Sequence, residues 1–141
     1  MPEAIDQFQQ AVKINPGFAE AHSNLGNALQ LAGHLPEAMD QYKQAIQLKP
    51  DYADAHNNMG NALLKAGQMP KALHQFQEAV RLRPDNAEAY NNIGSVLAEQ
   101  GHTVEALDKF REALQIDPNN TDAQKNLARV EDDMKSGPTS K

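Results

Sequence analysis

Apolar residues recur along the chain at the three- and four-residue spacing of amphipathic helices. The first clear pair of such segments runs from about Ala19 to Ala32 and from about Pro36 to Leu48. Gly33 follows the first segment and Pro50 follows the second, and these are residue types that commonly end helices. The pattern predicts two helices joined by a tight turn, and no segment of the chain is predicted as a strand.

This pair of segments repeats with a period of 34 residues. The period is marked by Pro16, Pro50, Pro84 and Pro118, and it also relates Gly26, Gly60 and Gly94; Gly33, Gly67 and Gly101; and Phe8, Tyr42, Phe76 and Phe110. A constant period of this length indicates a solenoid of stacked helical hairpins. We expect an all-α domain over residues 1–135, with a half-repeat at 1–18, full repeats at 19–52, 53–86 and 87–120, and a capping helix at 121–135. Residues 136–141 are expected to form a flexible tail.

Polar residues and glycines predict how the helices begin and pack. Asp51, Asp85 and Asn119 each precede an acidic residue by three positions, which is close to the pattern of a capping box. Glycine inside a helix costs about 1 kcal/mol relative to alanine. The glycines at 26, 60 and 94 therefore predict a close approach of the second helix, whose Tyr42, Phe76 and Phe110 would fill the space beside them.

These residues make the chain resemble the tetratricopeptide repeat (TPR) family. The motif is His22-x-x-Leu25-Gly26-x-x-Leu29, then Ala38-x-x-x-Tyr42-x-x-Ala45, then Pro50, and it recurs twice in nearly the same form. The resemblance implies an α-α superhelix of stacked antiparallel hairpins, with first helices lining a concave face. It also implies a role in binding proteins or peptides. His22, His56 and Tyr90 stand where the family usually has a large aromatic residue.

Asparagines recur at two positions of the predicted first helices. Residues three apart share one helix face, and a primary amide can donate and accept hydrogen bonds at once, as the main chain of an extended peptide requires. The pattern resembles the asparagine-lined TPR superhelix of O-linked N-acetylglucosamine transferases. The candidate peptide-binding residues are Asn24, Asn27, Asn58, Asn61, Asn92 and Asn126, with Asn57 and Asn91 widening the groove floor and Lys65 at its edge. The alternative is that these asparagines tie helices together.

Composition excludes several classes of function. The net charge of −6 and the pI near 5.3 argue against nucleic-acid and anionic-membrane partners, which need clustered Lys and Arg. No apolar run is long enough for a membrane span, and the first ten residues do not resemble a signal peptide, so we expect a cytoplasmic protein. Without cysteine, and with five histidines at spacings that suit no metal site, we expect no metal, no cofactor and no enzymatic activity.

The resemblance also excludes one ligand. Family members that bind chaperone tails grip a terminal carboxylate with cations and two asparagines, and this chain has only the asparagines, at Asn27 and Asn58. Ser23, Glu88 and Asn92 stand where the cations would be. We therefore expect a ligand other than a chaperone tail.

Two alternative functions are open at this point. The chain could be the substrate-targeting part of a larger enzyme such as a glycosyltransferase. It could also associate weakly head to tail, with the C-terminal helix of one molecule completing the N-terminal half-repeat of another over Ile5, Phe8 and Val12. Glu131, which stands where the full repeats have leucine, argues for a solvent-facing cap instead.

Overall fold

A computed structural model describes residues 2–136, and over that range the backbone forms eight α-helices and no strand. The helices are α1 Pro2–Ile14, α2 Ala19–Leu31, α3 Leu35–Leu48, α4 Ala53–Lys65, α5 Met69–Leu82, α6 Ala87–Glu99, α7 Thr103–Ile116 and α8 Thr121–Ser136. The predicted pair of helices is confirmed, with bounds that agree within one residue. The predicted tail was to begin at Ser136, but this residue ends α8, where its Oγ donates to the carbonyl of Asp132 over 3.1 Å. The remaining residues of the predicted tail, 137–141, lie outside the described range.

The chain divides into two compact units, Met1–Leu82 and Arg83–Lys141. In the first unit α2 pairs with α3 and α4 pairs with α5, while α1 packs on α2 and α3 packs on α4. In the second unit α6 pairs with α7, and α8 packs mainly on α7. Each predicted full repeat therefore folds as one helical hairpin.

The turn inside each hairpin depends on a glycine in a left-handed conformation. Gly33, Gly67 and Gly101 have φ of +87°, +78° and +86°, which confirms their predicted role as helix stops. The residue after each glycine donates its N–H back into the last turn of the helix, as His34 does to the carbonyl of Leu29 over 2.8 Å. This bond pairs a carbonyl that the helix would otherwise leave without a partner.

The predicted helix caps are wrong by one residue. The Oδ1 of Asn86 accepts from the N–H of Ala89 over 3.2 Å, and the Oδ1 of Asn120 accepts from the N–H of Ala123 over 3.0 Å. Asp85 and Asn119, which were predicted as caps, lie inside tight turns closed by backbone bonds such as Asn86 N–H to Arg83 carbonyl, 3.1 Å. Asp51 precedes Tyr52, the N-cap residue of α4, whose side chain makes no capping bond.

The core of each hairpin is an aromatic ring pressed against a glycine. The rings of Tyr42, Phe76 and Phe110 are fully buried, and alanines that are also fully buried flank them on the same helices. A Cβ placed on Gly60 would lie 2.5 Å from Cε1 of Phe76, which is closer than real Cβ atoms approach other heavy atoms. Equivalent atoms on the glycines at 26 and 94 would lie 2.6 Å from their rings. The predicted close approach of the two helices is confirmed.

This contact predicts that Gly60→Ala destabilises the protein, although alanine is the better helix former. The new methyl group would press on a fully buried ring, and overpacking of this kind costs about 1–3 kcal/mol. Ala128 is exposed at the same repeat position of α8 and meets no such ring, so Ala128→Gly should lose about 1 kcal/mol from helix propensity alone. Denaturant melts of both variants test this, and a Gly60→Ala protein as stable as wild type would contradict the steric argument.

A second recurrent contact joins each of the first two full hairpins to the turn before it. The Nε2 of His56 donates to the carbonyl of Pro50 over 2.9 Å, and its Nδ1 lies 2.7 Å from Oε1 of Gln75 on α5. His22 makes the same two contacts with Pro16 and Gln41. In α8 the residue at this position is Gln124, whose Nε2 donates to the carbonyl of Pro118 over 2.7 Å. The sequence indicated an aromatic packing position. The structure shows a hydrogen-bonding position at His22 and His56, whereas Tyr90 in the third full repeat packs against a cluster of buried alanines.

We expect His56→Ala to destabilise the protein by about 1–3 kcal/mol, because it removes both hydrogen bonds from a buried position. His56→Gln should lose less than about 1 kcal/mol, because a glutamine amide reaches the proline carbonyl in the fourth copy of the repeat. The exposed His34→Ala serves as a neutral control. Equal losses for His56→Ala and His56→Gln in chemical denaturation would show that packing, and not the hydrogen bond, sets the effect.

Candidate peptide-binding groove

A cleft of about 350 Å³ opens between α2 and α4 in the first unit. It is lined by Asn27, Gln30 and Leu31 from α2 and by Asn58, Asn61 and Lys65 from α4. Spacings of three and four residues place each set on one helix face. Four of the six side chains are primary amides, so the floor of the cleft can hydrogen-bond without carrying charge. The structure thus brings together four of the predicted site residues.

Gln30 belongs to the cleft but was not predicted. It follows Asn27 by three residues, which is the spacing that signals a shared face, but the other full repeats carry Leu64 and Ala98 at its position. Gln30 therefore has no amide counterpart in the other full repeats, and recurrence along the sequence does not indicate it. Asn24 lies one turn earlier on α2 and is exposed, and it does not line the cleft.

The prediction that Asn57 and Asn91 widen the groove floor is wrong about their position. Both side chains are buried, with exposures of 5% and 6%. Successive residues of a helix are rotated by about 100°, so the residue before Asn58 faces the interior when Asn58 faces the cleft. Asn91 accepts from Nδ2 of Asn126 over 2.9 Å, a bond that ties α8 to α6.

The predicted residues of the second unit do not form a cleft of amides. Asn126 is held by its bond to Asn91 and lies 3.4 Å from Oγ of Ser95, and Asn92 also makes an interaction within its surroundings. The corresponding cavity, between α6 and α8, has about 210 Å³ and is lined by Ala98, Glu99, Arg129, Val130 and Asp133. Charged side chains therefore replace Leu31, Asn61 and Lys65, and the amide-lined cleft belongs to the first unit.

Two family models for the repeat match the sequence. The model described as "Tetratricopeptide repeat" matches residues 57–121, and the model described as "TPR repeat" matches residues 1–33 and 31–67. Together these matches extend from residue 1 to residue 121. The chain belongs to the tetratricopeptide repeat family. No curated protein sequence matches this TPR chain.

Solved TPR structures share the fold. The first TPR of Spaghetti (RPAP3), solved with the HSP90 peptide SRMEEVD, aligns with a TM-score of 0.80 at 23% identity over 84% of this chain and 94% of its own. The Arabidopsis OM64 TPR domain has a TM-score of 0.78 at 25% identity, over 81% and 94%. MamA has a TM-score of 0.80 at 22% identity, over 92% and 70%. The fold of this chain is thus the all-α superhelical repeat fold of TPR proteins.

The described part of this TPR chain shows neither a cluster of metal-binding side chains nor a membrane-spanning helix. Within residues 2–136, no three or more histidine, aspartate or glutamate side chains come together as a metal site would require. None of the helices over that range combines the length and the apolar character needed to cross a membrane. His22 and His56, the two histidines with buried rings, are held by the hydrogen bonds that join hairpin and turn.

Tyr42 connects the core of its TPR hairpin to the cleft. Its phenol donates to Oδ1 of Asn27 over 2.6 Å, and its oxygen lies 3.0 Å from Oε1 of Gln30. Burial raises the pKa of Tyr42 to about 12, because the interior disfavours the phenolate. Phe76 and Phe110 occupy the same position without a hydroxyl, so Tyr42 is where the core fixes the orientation of a cleft amide.

This environment predicts that the phenol of Tyr42 stays protonated up to pH values near 12. The folded-state pKa lies above the ordinary value of 10, so the stabilisation is complete below pH 10 and is lost as the pH rises through 12. The experiment titrates phenolate absorbance against pH for wild type and Tyr42→Phe, with circular dichroism recorded at each pH to monitor the fold. The ionisation step at the highest pH should be present in wild type and absent from Tyr42→Phe. Tyr52→Phe, the control, should keep it. A folded wild type whose tyrosines all ionise near pH 10 would contradict the prediction.

Proposed function

We propose that this TPR chain is a protein-interaction scaffold that holds an extended peptide or partner segment in the cleft between α2 and α4. The observation that supports this is the convergence of four amides on one open cleft. Each peptide unit of a ligand presents one N–H and one carbonyl, and one amide side chain can pair with both. Lys65 is the only titratable side chain of the six that line the cleft, which suits binding better than acid–base catalysis.

Asn58 and Asn61 are the amides best suited to a ligand. Both are half-buried, and neither forms a hydrogen bond with another side chain or backbone group in the part of the chain that the structure describes. Asn27 already accepts from the phenol of Tyr42, which orients its amide and leaves its N–H groups for a ligand carbonyl. The cleft is therefore partly preorganised, which reduces the entropy lost on binding.

The edge of the cleft favours particular side chains on the ligand. Leu31 is 72% exposed and offers an apolar surface, and Lys65 is an exposed cation on the facing helix. A suitable ligand has an apolar side chain that packs on Leu31 and an acidic side chain that pairs with Lys65. Peptide binding by the fold is supported by the structure of Spaghetti, whose TPR was solved with an HSP90 peptide.

A terminal-carboxylate clamp of the chaperone type is not part of the proposal. Ser23, at one of the positions where that clamp needs a cation, has no charge and is 2% exposed. A carboxylate held there would have no cationic partner, so the cost of removing it from water would not be offset. The proposed ligand is recognised along its main chain and not by its C-terminus.

Head-to-tail association receives no support from the packing. If α8 of one molecule completed the half-repeat of another in the repeat register, Ala128 would stand against Phe8 where the hairpins have glycine against an aromatic ring. In those hairpins a Cβ would lie 2.5–2.6 Å from the ring. Ala128 carries such a Cβ, so that register would overpack the contact.

The cleft predicts a loss of binding when its amides are removed. A peptide selected by wild type from a random library should bind Gln30→Ala/Asn58→Ala/Asn61→Ala at least tenfold more weakly, because each lost hydrogen bond contributes about 0.5–1.5 kcal/mol. Isothermal titration calorimetry measures this. Thermal stability should change little, because these side chains are exposed or half-buried.

Asn126→Ala is the matched control for the triple variant. It should lower stability, because the Asn91 amide loses its partner on α8, and it should leave peptide affinity unchanged. N-methylation of the bound peptide's main chain should weaken binding more than alanine substitution of its side chains. Full affinity in the triple variant would overturn the proposed cleft, and a larger effect of the side-chain substitutions would overturn main-chain recognition.

A further inference from the structure

A second cavity of the first unit, of about 540 Å³, shares no lining residue with the cleft. Helices α3, α4 and α5 form it, and we call it the cationic pocket. Its apolar floor consists of Met39 from α3 and of the buried Met59 and Leu63 from α4. Methionine is flexible and polarisable, so it adapts to apolar groups of different shape. The floor can therefore receive a large apolar side chain.

Two lysines and a histidine surround this floor. Lys43 on α3 and Lys71 and His74 on α5 line the pocket, and all three are exposed. Within residues 2–136, the side chain of neither lysine forms an ion pair or a hydrogen bond. Glu78, the acid one turn after His74, is paired with Arg81 at 2.7 Å. Two unpaired lysines beside an apolar floor stand out on a chain whose net charge is −6.

The preceding repeat contains the corresponding cavity without the lysines. That cavity, of about 350 Å³, has Ile5, Leu25 and Leu29 where the cationic pocket has Met39, Met59 and Leu63. Gln9 and Glu37 stand at the positions of Lys43 and Lys71, and Asp40 is the counterpart of His74. The repeat that follows carries Gln77, Glu105 and Asp108 at these positions in the sequence. The fold itself therefore does not need cations here.

We propose that the cationic pocket is a second binding site, and that it binds an acidic peptide segment with one large apolar side chain. The apolar residue would enter the cavity over Met39 and Met59, where it leaves water. Its acidic neighbours would pair with Lys43 and Lys71, whose charges are opposite in sign to those of the ligand and to the net charge of the protein. This proposal does not depend on peptide binding in the cleft between α2 and α4.

The test uses methionine methyl groups as reporters. The probe is an acetylated and amidated peptide with one leucine flanked on each side by three acidic residues, and the protein is the full chain labelled with ¹³C at methionine methyls. The peptide should shift the signals of Met39 and Met59 and leave that of Met134 on α8 unchanged. The same peptide with alanine in place of leucine should bind at least tenfold more weakly.

Two double variants test whether the lysine charges, and not the fold of the repeat, determine binding of the probe. Lys43→Gln/Lys71→Glu copies the residues of the preceding repeat, so the fold tolerates them, and it should weaken binding at least tenfold. Gln9→Lys/Glu37→Lys makes the reciprocal change and should raise the stoichiometry from one peptide to two. Asn58→Ala/Asn61→Ala should bind the probe as wild type does, which distinguishes this pocket from the cleft.

Several results would overturn the proposal. One is wild-type affinity in Lys43→Gln/Lys71→Glu, and another is a stoichiometry that stays at one after lysines are placed at positions 9 and 37. A probe that shifts Met134 but not Met39 or Met59 would place the site elsewhere. Shifts of Met39 and Met59 by laurate but not by the peptide would assign the pocket to a fatty acid in place of an acidic peptide.

Discussion

The contact between a glycine of the first helix and an aromatic ring of the second organises each hairpin. At Gly60 the ring of Phe76 occupies the volume that any other residue would need for its Cβ. This close approach buries the ring and the alanines beside it completely. Helices of neighbouring hairpins in the first unit also pack together, as α3 and α4 do through the buried alanines at 45 and 55. Only residues that take no part in these packing contacts present a surface to a ligand.

The rotation of each helix then decides which asparagines can meet a ligand. Asn57 and Asn58 are neighbours in sequence and have the same chemistry, but one is buried and the other lines the cleft. The buried amide of Asn57 belongs to the packed interior of the first unit. In the second unit the buried amide of Asn91 accepts a hydrogen bond from Asn126. The predicted ladder of asparagines therefore contains two kinds of residue, one structural and one available for binding.

Repetition makes it possible to separate what the fold requires from what it permits. Glycine, alanine and aromatic positions hardly vary among the full repeats, because the hairpin contact allows few alternatives. The cavities between helices do vary: the cleft of amides in the first unit corresponds to a cavity with Glu99, Arg129 and Asp133 in the second. The cationic pocket differs from its counterpart in the same way. Such differences at equivalent positions mark surfaces that the fold leaves free for recognition.

The sequence by itself determined the hairpins, their period, the left-handed glycines and the glycine–aromatic contact. These features depend on local geometry and on small residues that tolerate one arrangement, so they can be derived from spacing alone. It also indicated Asn27, Asn58 and Asn61 from their recurrence on one helix face, and Lys65 as a basic residue at the edge of the groove. The caps Asn86 and Asn120 accept from N–H groups three residues further on, and they were missed because apolar spacing gives a helix end only to within one or two residues. Only the tertiary structure decided that Asn57 and Asn91 are buried and that Gln30 joins the cleft. Burial and hydrogen-bond partners depend on which helices surround a side chain, and a repeat pattern does not encode that for any single position.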